Sequence, residues 1–197
     1  MKNKVQDYLT KDERSSLLGV PDLRTLPGIR DFCLLSLLVN TGMRRAEICN
    51  LKRGDLKISE KRANLYVRGK GDKERKIPIR DKDLLLYLAK YFSMAGNLEN
   101  PEAPMFFQAK YKKALGPQRI TPSTIRHLVE RAVRRAGIKK RIHPHSLRHT
   151  FLSLALQSGA DLATVQALAG HSNIATTSRY LHTSDELMEK AIERLAL

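Results

Sequence analysis

Tryptophan is absent from this 197-residue chain, and aromatic residues make up only 6% of it. A core must therefore be built mainly from Leu, Ile, Val and Ala. The hydrophobic share of 42% is enough for one, and the length suits a single ordinary domain. Cysteines number two, Cys33 and Cys49. Their spacing fits neither a disulfide framework nor a zinc motif, and both stand among apolar residues, so they read as small buried hydrophobes. No apolar run reaches transmembrane length, and no charged start followed by an apolar stretch marks a secretory signal. A cytosolic protein is expected. Acidic residues are also scarce, 20 against 36 Lys plus Arg, for a formal net charge of +16. The excess is spread along the chain and is not gathered in one tail. It favours a polyanionic partner, nucleic acid first, over a membrane surface or simple basicity.

The periodicity predicts mainly helix. Thr10 and Glu13 form a capping-box pattern before a short helix at 11–18. Pro27 opens a more apolar helix at 28–39, broken by Asn40-Thr41-Gly42, and a further short helix covers 44–51. The period then changes to two. Segments 56–59, 63–68 and 75–79 predict a small antiparallel three-stranded sheet, with Gly69-Lys70-Gly71-Asp72 in its second hairpin turn. Helix returns at 82–95, where Leu84, Leu85, Leu88 and Phe92 share a face. Segment 96–120, with Pro101, Pro104 and Pro117, reads as a long surface connection. Thr121 and Pro122 start the clearest amphipathic helix, with Ile125, Leu128, Val129, Ala132 and Val133 on one face and Arg126, Arg131, Arg134 and Arg135 mostly elsewhere; Gly137 ends it. Helices at 146–158, 162–169, 174–180 and 185–197 complete the chain, with Asp161 as N-cap of the second. The fold class is mainly α with a small β insert (α+β), as one domain over 1–197.

Several cationic or polar residues stand at the joints between elements. Arg44 follows a glycine turn, and Lys70 lies between two glycines. His145 and Arg148 share a helix face. His171 follows Gly170, and Tyr180 closes a helix. Taken singly, each has a plain structural reading. Arg44 could be a solvated helix-start residue with Arg45 as its rival, Lys70 part of a flexible turn, and Tyr180 a core tyrosine like Tyr66, Tyr87, Tyr91 and Tyr111. The histidines His143, His145 and His149 raise the idea of zinc, but no cysteine or well-placed carboxylate supplies a further ligand.

Four strings carry a resemblance. Thr41-Gly42-Met43-Arg44-Arg45-Ala46-Glu47-Ile48 resembles the first arginine box of the tyrosine recombinases, the phage integrase family. Gly69-Lys70-Gly71-Asp72-Lys73-Glu74-Arg75 resembles their hairpin lysine motif. His143-Pro144-His145-Ser146-Leu147-Arg148-His149-Thr150-Phe151 is similar to their His-x-x-Arg box. Leu168-Ala169-Gly170-His171-Ser172-Asn173-Ile174-Ala175-Thr176-Thr177-Ser178-Arg179-Tyr180 is similar to the box that ends in the nucleophile. The match runs from about Leu9 to the C-terminus with every box in family order.

The resemblance implies DNA cleavage and rejoining. Tyr180 would attack the scissile phosphate and become 3′-phosphotyrosyl. Arg44 and Arg148 would clamp the non-bridging oxygens, Lys70 would protonate the leaving 5′-oxygen, His145 would assist proton transfer at Tyr180, and His171 would position the phosphate. Glu47 would orient the site from behind. Lys73, Arg75, Arg126, Arg134 and Arg135 are expected at DNA phosphates. No metal ion or other cofactor is implied, because the arginines supply the charge. The implied partner is double-stranded DNA, engaged as a homo-tetramer formed from monomers. The last helix, 185–197, docks either on a neighbouring subunit or on its own domain. The N-terminal core-binding domain that most members carry is missing from this reading, as in the short fimbrial invertases or in a truncated chain. Weaker, more salt-sensitive DNA binding than in a two-domain relative is then expected. Two rivals remain: a type IB topoisomerase, which uses the same chemistry on one strand, and a DNA-binding protein that keeps the scaffold without the activity.

Overall fold

A computed structural model describes residues 8–59, 62–69, 74–96, 100–108 and 118–169. Within them the order is α1 (Lys11–Leu18), α2 (Leu26–Thr41), α3 (Arg45–Asn50), a 3-10 turn, β1 (Leu56–Ser59), β2 (Arg62–Arg68), β3 (Glu74–Ile79), α4 (Lys82–Ala95), α5 (Pro122–Arg135), α6 (Pro144–Gln157) and α7 (Leu162–Ala169). The mainly helical class and the three-stranded sheet agree with the sequence reading. Expected helices at 174–180 and 185–197 lie outside the described residues.

α2 is the axis of the fold. Nearly its whole circumference is apolar, so it has to be enclosed. Ile29, Leu34, Leu35, Leu37, Leu38 and Val39 are all at most 1% exposed. α4 and α6 pack on α2 most extensively, and α1, α3 and α5 also touch it. Local sequence starts and stops these helices. Thr10 accepts from the Glu13 N–H at 3.2 Å while Glu13 accepts from the Thr10 N–H at 2.7 Å, the reciprocal cap that the spacing predicts. Asp81 accepts from the Leu84 N–H at 3.0 Å and begins α4. Thr121 accepts from the Thr124 N–H at 3.2 Å and begins α5.

The sheet runs β1-β2-β3, antiparallel throughout. Ala63, Leu65 and Val67 of β2 point to the core, opposite Ile79, Ile77 and Arg75 of β3. The stretch after α4 departs from the expected surface connection. Its described residues are not wholly a surface connection. Met105 and Phe106 are 0% and 1% exposed, and the Phe107 N–H donates to the Tyr91 hydroxyl at 3.1 Å. Burial of these two large apolar side chains brings the segment inward, and Arg30 Nη1 donates to the Phe107 carbonyl at 3.0 Å. One apolar core takes in α2, the sheet, α4, α5 and the start of α6. A second, small cluster of Leu152, Leu156 and Val165 joins the end of α6 to α7.

Candidate active site

The site is built where α2 ends. Gly42 has φ of 61°, a left-handed conformation that favours glycine. A Cβ there would stand 2.5 Å from Phe151 Cδ1 of α6. Glycine thus turns the chain and lets α6 come close. The backbone then extends at Arg44, which is the N-cap of α3. Glu47, one turn on, accepts from the Arg44 N–H at 2.8 Å and from Arg44 Nη1 at 2.9 Å. From the other side comes Arg148 on α6, only 3% exposed. Its Nη1 donates to the Gly42 carbonyl at 2.5 Å. Residues 104 positions apart are thereby fixed together: Arg148 grips the main chain two residues before Arg44. Thr150 reinforces α6, accepting from the Leu9 N–H at 3.0 Å and donating to the Ser146 carbonyl at 3.0 Å.

Glu47 is the hub. Its carboxylate also receives Arg75 from β3, through Nη1 at 3.0 Å and Nη2 at 2.8 Å. The Glu47 side chain is 6% exposed and that of Arg75 13%. Burial by itself would raise the Glu47 carboxyl, but the hydrogen bonds and charges of Arg75 and Arg44 outweigh it and hold the group below the usual carboxylate range. Glu47 therefore stays ionised and keeps both guanidinium groups oriented. A two-pronged guanidinium–carboxylate contact is among the stronger side-chain pairs. Arg75 also donates from Nε to the Leu168 carbonyl of α7 at 3.1 Å. The expectation that Arg75 meets DNA phosphate does not hold, because its fork is turned inward. The signal was legible in register. Arg75 shares a face of β3 with buried Ile77 and Ile79 and lies opposite Val67.

His145 opens the surface of α6 beside this frame. Partial burial, then the charges of Arg148 and Arg44, and last His143, push its pKa below the usual imidazole value. Both arginines therefore act on one imidazole. At neutral pH such a ring is uncharged and can take a proton. The ring of His149 packs edge-on to it, with centroids 4.8 Å apart. His143 sits at the N-cap of α6, its N–H donating to Ser146 Oγ at 3.3 Å. Among the described residues no group of three His, Cys, Asp or Glu side chains is placed to hold a metal ion.

The structure thus brings Arg44, Glu47, His145 and Arg148 together. Lys70, Lys73, His171 and Tyr180 lie outside the described residues. Lys70 belongs to the segment joining β2 and β3, whose last described pair is Arg68 with Glu74. On α5, Arg126, Arg134 and Arg135 are exposed, and Arg126 meets only its helix neighbours, His127 Nε2 at 3.3 Å and Glu130 at 4.0 Å, among the contacts of the described residues. Arg131 differs from them. It reaches back to Asp31 of α2 at 2.8 Å, and Asp31 also holds buried Arg30. Burial pushes the Cys33 thiol up strongly and the Cys49 thiol to about 11, in keeping with two inert core residues. No described helix is long and apolar enough to cross a membrane.

Comparison with known proteins matches this architecture to a class. The chain superposes on a solved XerH site-specific recombinase, bound to palindromic difH substrate in a post-cleavage complex, with a TM-score of 0.79 and 26% identity. That match covers 96% of this chain and 53% of the other. The fold is that of the tyrosine recombinase catalytic domain. A tyrosine recombinase of Pseudothermotoga lettingae is 38% identical over 196 residues, 99% of this chain and 63% of the relative. One of Thermosipho africanus is 35% identical over 195 residues, 99% of this chain and 64% of the relative. The model of the phage integrase family matches residues 7–186. The chain belongs to the phage integrase family. It spans less than two thirds of the length of these curated relatives.

Proposed function

We propose that this chain is the DNA-breaking and DNA-rejoining part of a site-specific tyrosine recombinase. The observation that carries the reading is the joining of Arg44 and Arg148 at one point of the fold: Arg148 holds the Gly42 carbonyl two residues before Arg44, buried Glu47 holds Arg44 from behind, and His145 stands one turn before Arg148 on α6. Two fixed guanidinium groups suit a phosphodiester whose non-bridging oxygens gain charge in the transition state. Preorganisation matters most here, since donors that need not reorient stabilise that charge at no extra cost.

Tyr180 attacks the phosphorus, the bond to the 5′-oxygen breaks, and a 3′-phosphotyrosyl bond forms. His145, neutral near pH 7, accepts the phenolic proton. Lys70 protonates the departing 5′-oxygen, and His171 helps hold the phosphate. The phosphotyrosyl bond conserves the energy of the cleaved linkage, so a second 5′-hydroxyl rejoins the strand by the reverse path. Double-stranded DNA is the partner, in keeping with the +16 charge and with a relative in complex with its DNA substrate. The exposed Arg126, Arg134 and Arg135 of α5 contact phosphates and set register. On DNA the protein acts as a tetramer.

A covalent-trapping assay tests the reading. A nicked suicide substrate loses a short fragment on cleavage and cannot be rejoined. A denaturation-resistant protein–DNA adduct is expected, absent with Tyr180→Phe. An adduct that survives Tyr180→Phe would overturn the choice of nucleophile. Relaxation of supercoiled DNA by the monomer without recombinant products would instead favour a type IB topoisomerase.

A further inference from the structure

Arg75 does more than neutralise Glu47. Its guanidinium has three donor positions in use, all on protein: Nη1 and Nη2 on the Glu47 carboxylate, and Nε on the Leu168 carbonyl. The two targets belong to different parts of the molecule. Glu47 lies on α3 and holds the backbone and the guanidinium of Arg44. Leu168 lies at the end of α7, three residues before His171 and twelve before Tyr180 in the chain. α7 rests on the small second cluster, and β3 is its contact with the sheet. A carbonyl in the last turn of a helix lacks an intrahelical donor, so an arginine there meets an existing need.

We propose that Arg75 is a positioning residue that sets the end of α7 against the Arg44–Glu47 pair, and so sets the spacing between the phosphate clamp and the nucleophile-bearing part of the chain. This rests on the function proposed above. A cation that only adds affinity for the DNA backbone needs charge within reach, whereas this role needs a planar fork with a third donor pointing away from it. Lysine can supply the charge but not both contacts at once.

The test pairs Arg75→Lys and Arg75→Met with the wild-type chain on the suicide substrate. Single-turnover cleavage is expected to fall about 10²-fold in both variants, the scale of loss from small misplacements remote from the reacting atoms. DNA affinity and its salt slope are expected to stay at wild-type values. Amide exchange is expected to quicken in α7 and not in α2. Cleavage at the wild-type rate by Arg75→Lys would overturn the proposal, because charge alone would then suffice. So would weaker DNA binding with a salt slope reduced by about one, which marks a phosphate contact, or unaltered exchange in α7. If Arg75→Met fails to fold, the double variant Glu47→Gln with Arg75→Gln removes the buried charges together; slow cleavage with tight binding is again expected, and fast cleavage would contradict the role. A wild-type chain that forms no adduct refutes the proposed reaction, and the exchange of α7 then decides the bridge by itself.

Discussion

The two ends of α6 live in different surroundings. Its first turns, with Leu147 and Arg148, are embedded in the main core beside α2. Its last turns, with Leu152 and Leu156, share only a small cluster with Val165 of α7. Every member of the arginine frame belongs to the first setting or is tied to it: Arg148 to the Gly42 carbonyl, Arg44 and Arg75 to Glu47. α7, which leads to His171 and Tyr180, belongs to the second. Stability in a folded protein is distributed unevenly, and local openings start where apolar contacts are few. The side chains proposed to grip a phosphate are thus placed on the best-supported backbone, while α7, which precedes the proposed nucleophile in the chain, is held among the described residues by the small cluster of Leu152, Leu156 and Val165, with Phe151, Ala155 and Ala160 packed on it, and by the bond from Arg75 to Leu168.

That contrast can be broken at its strongest point first. Arg148→Met removes a fixed cation from the proposed phosphate clamp. Single-turnover cleavage is expected to drop by roughly 10²–10³-fold, the usual effect of losing one preorganised donor. The Gly42 carbonyl also loses its partner, so some destabilisation, about 1–3 kcal/mol, accompanies it. Urea unfolding separates the two effects; a rate loss that vanishes once folded protein is counted would refute a chemical role for Arg148.

The two clusters can be compared directly, because Leu38 and Leu152 are both 0% exposed. Leu38→Ala in the main core is expected to cost about 2–5 kcal/mol and to hasten hydrogen exchange throughout the body. Leu152→Ala is expected to fall near the low end of that range, with faster exchange confined to the end of α6 and to α7. Equal, global acceleration by both substitutions would show that the clusters form one cooperative unit.

The smallest expected effect is electrostatic. The pKa of His145 is depressed by partial burial and by Arg148 and Arg44. For a depressed histidine the unfolded chain takes up the proton first, so folding stability rises with pH between the folded and unfolded pKa values. A base must be neutral, so the acid limb of cleavage should lie below the pH range of an ordinary imidazole. NMR titration of the His145 ring checks this, and Arg44→Met should move the titration upward. A ring that titrates like a free histidine would mean that the arginines do not act on it.

Much of this was readable from residues alone. The caps at Thr10, Asp161 and Thr121, the period-two strands and the glycine stop after Thr41 are local signals, and local physics produced the elements they predict. The family strings pointed to Arg44, Glu47, His145 and Arg148, which the fold gathers. What escaped was long-range. Its sequence neighbourhood leads one to expect Arg75 at DNA phosphate, yet its place in the β3 alternation, level with Ile77 and Ile79, sends it inward to a carboxylate 28 residues away. Arg131 resembles its neighbours on α5 but closes on Asp31, 100 residues distant. Met105 and Phe106 sat in a proline-rich stretch whose composition hid that two of its side chains reach the core. Composition cannot show which charges find one another in space.

The most direct measurement is to map the trapped adduct. Protease digestion of the covalent complex, followed by mass spectrometry, locates the modified residue and the attached nucleotide. The predicted result is a phosphodiester from Tyr180 to the 3′ end of the cleaved strand, leaving a free 5′-hydroxyl on the released fragment. A nucleotide on another side chain, or one joined through a 5′-phosphate, would contradict it.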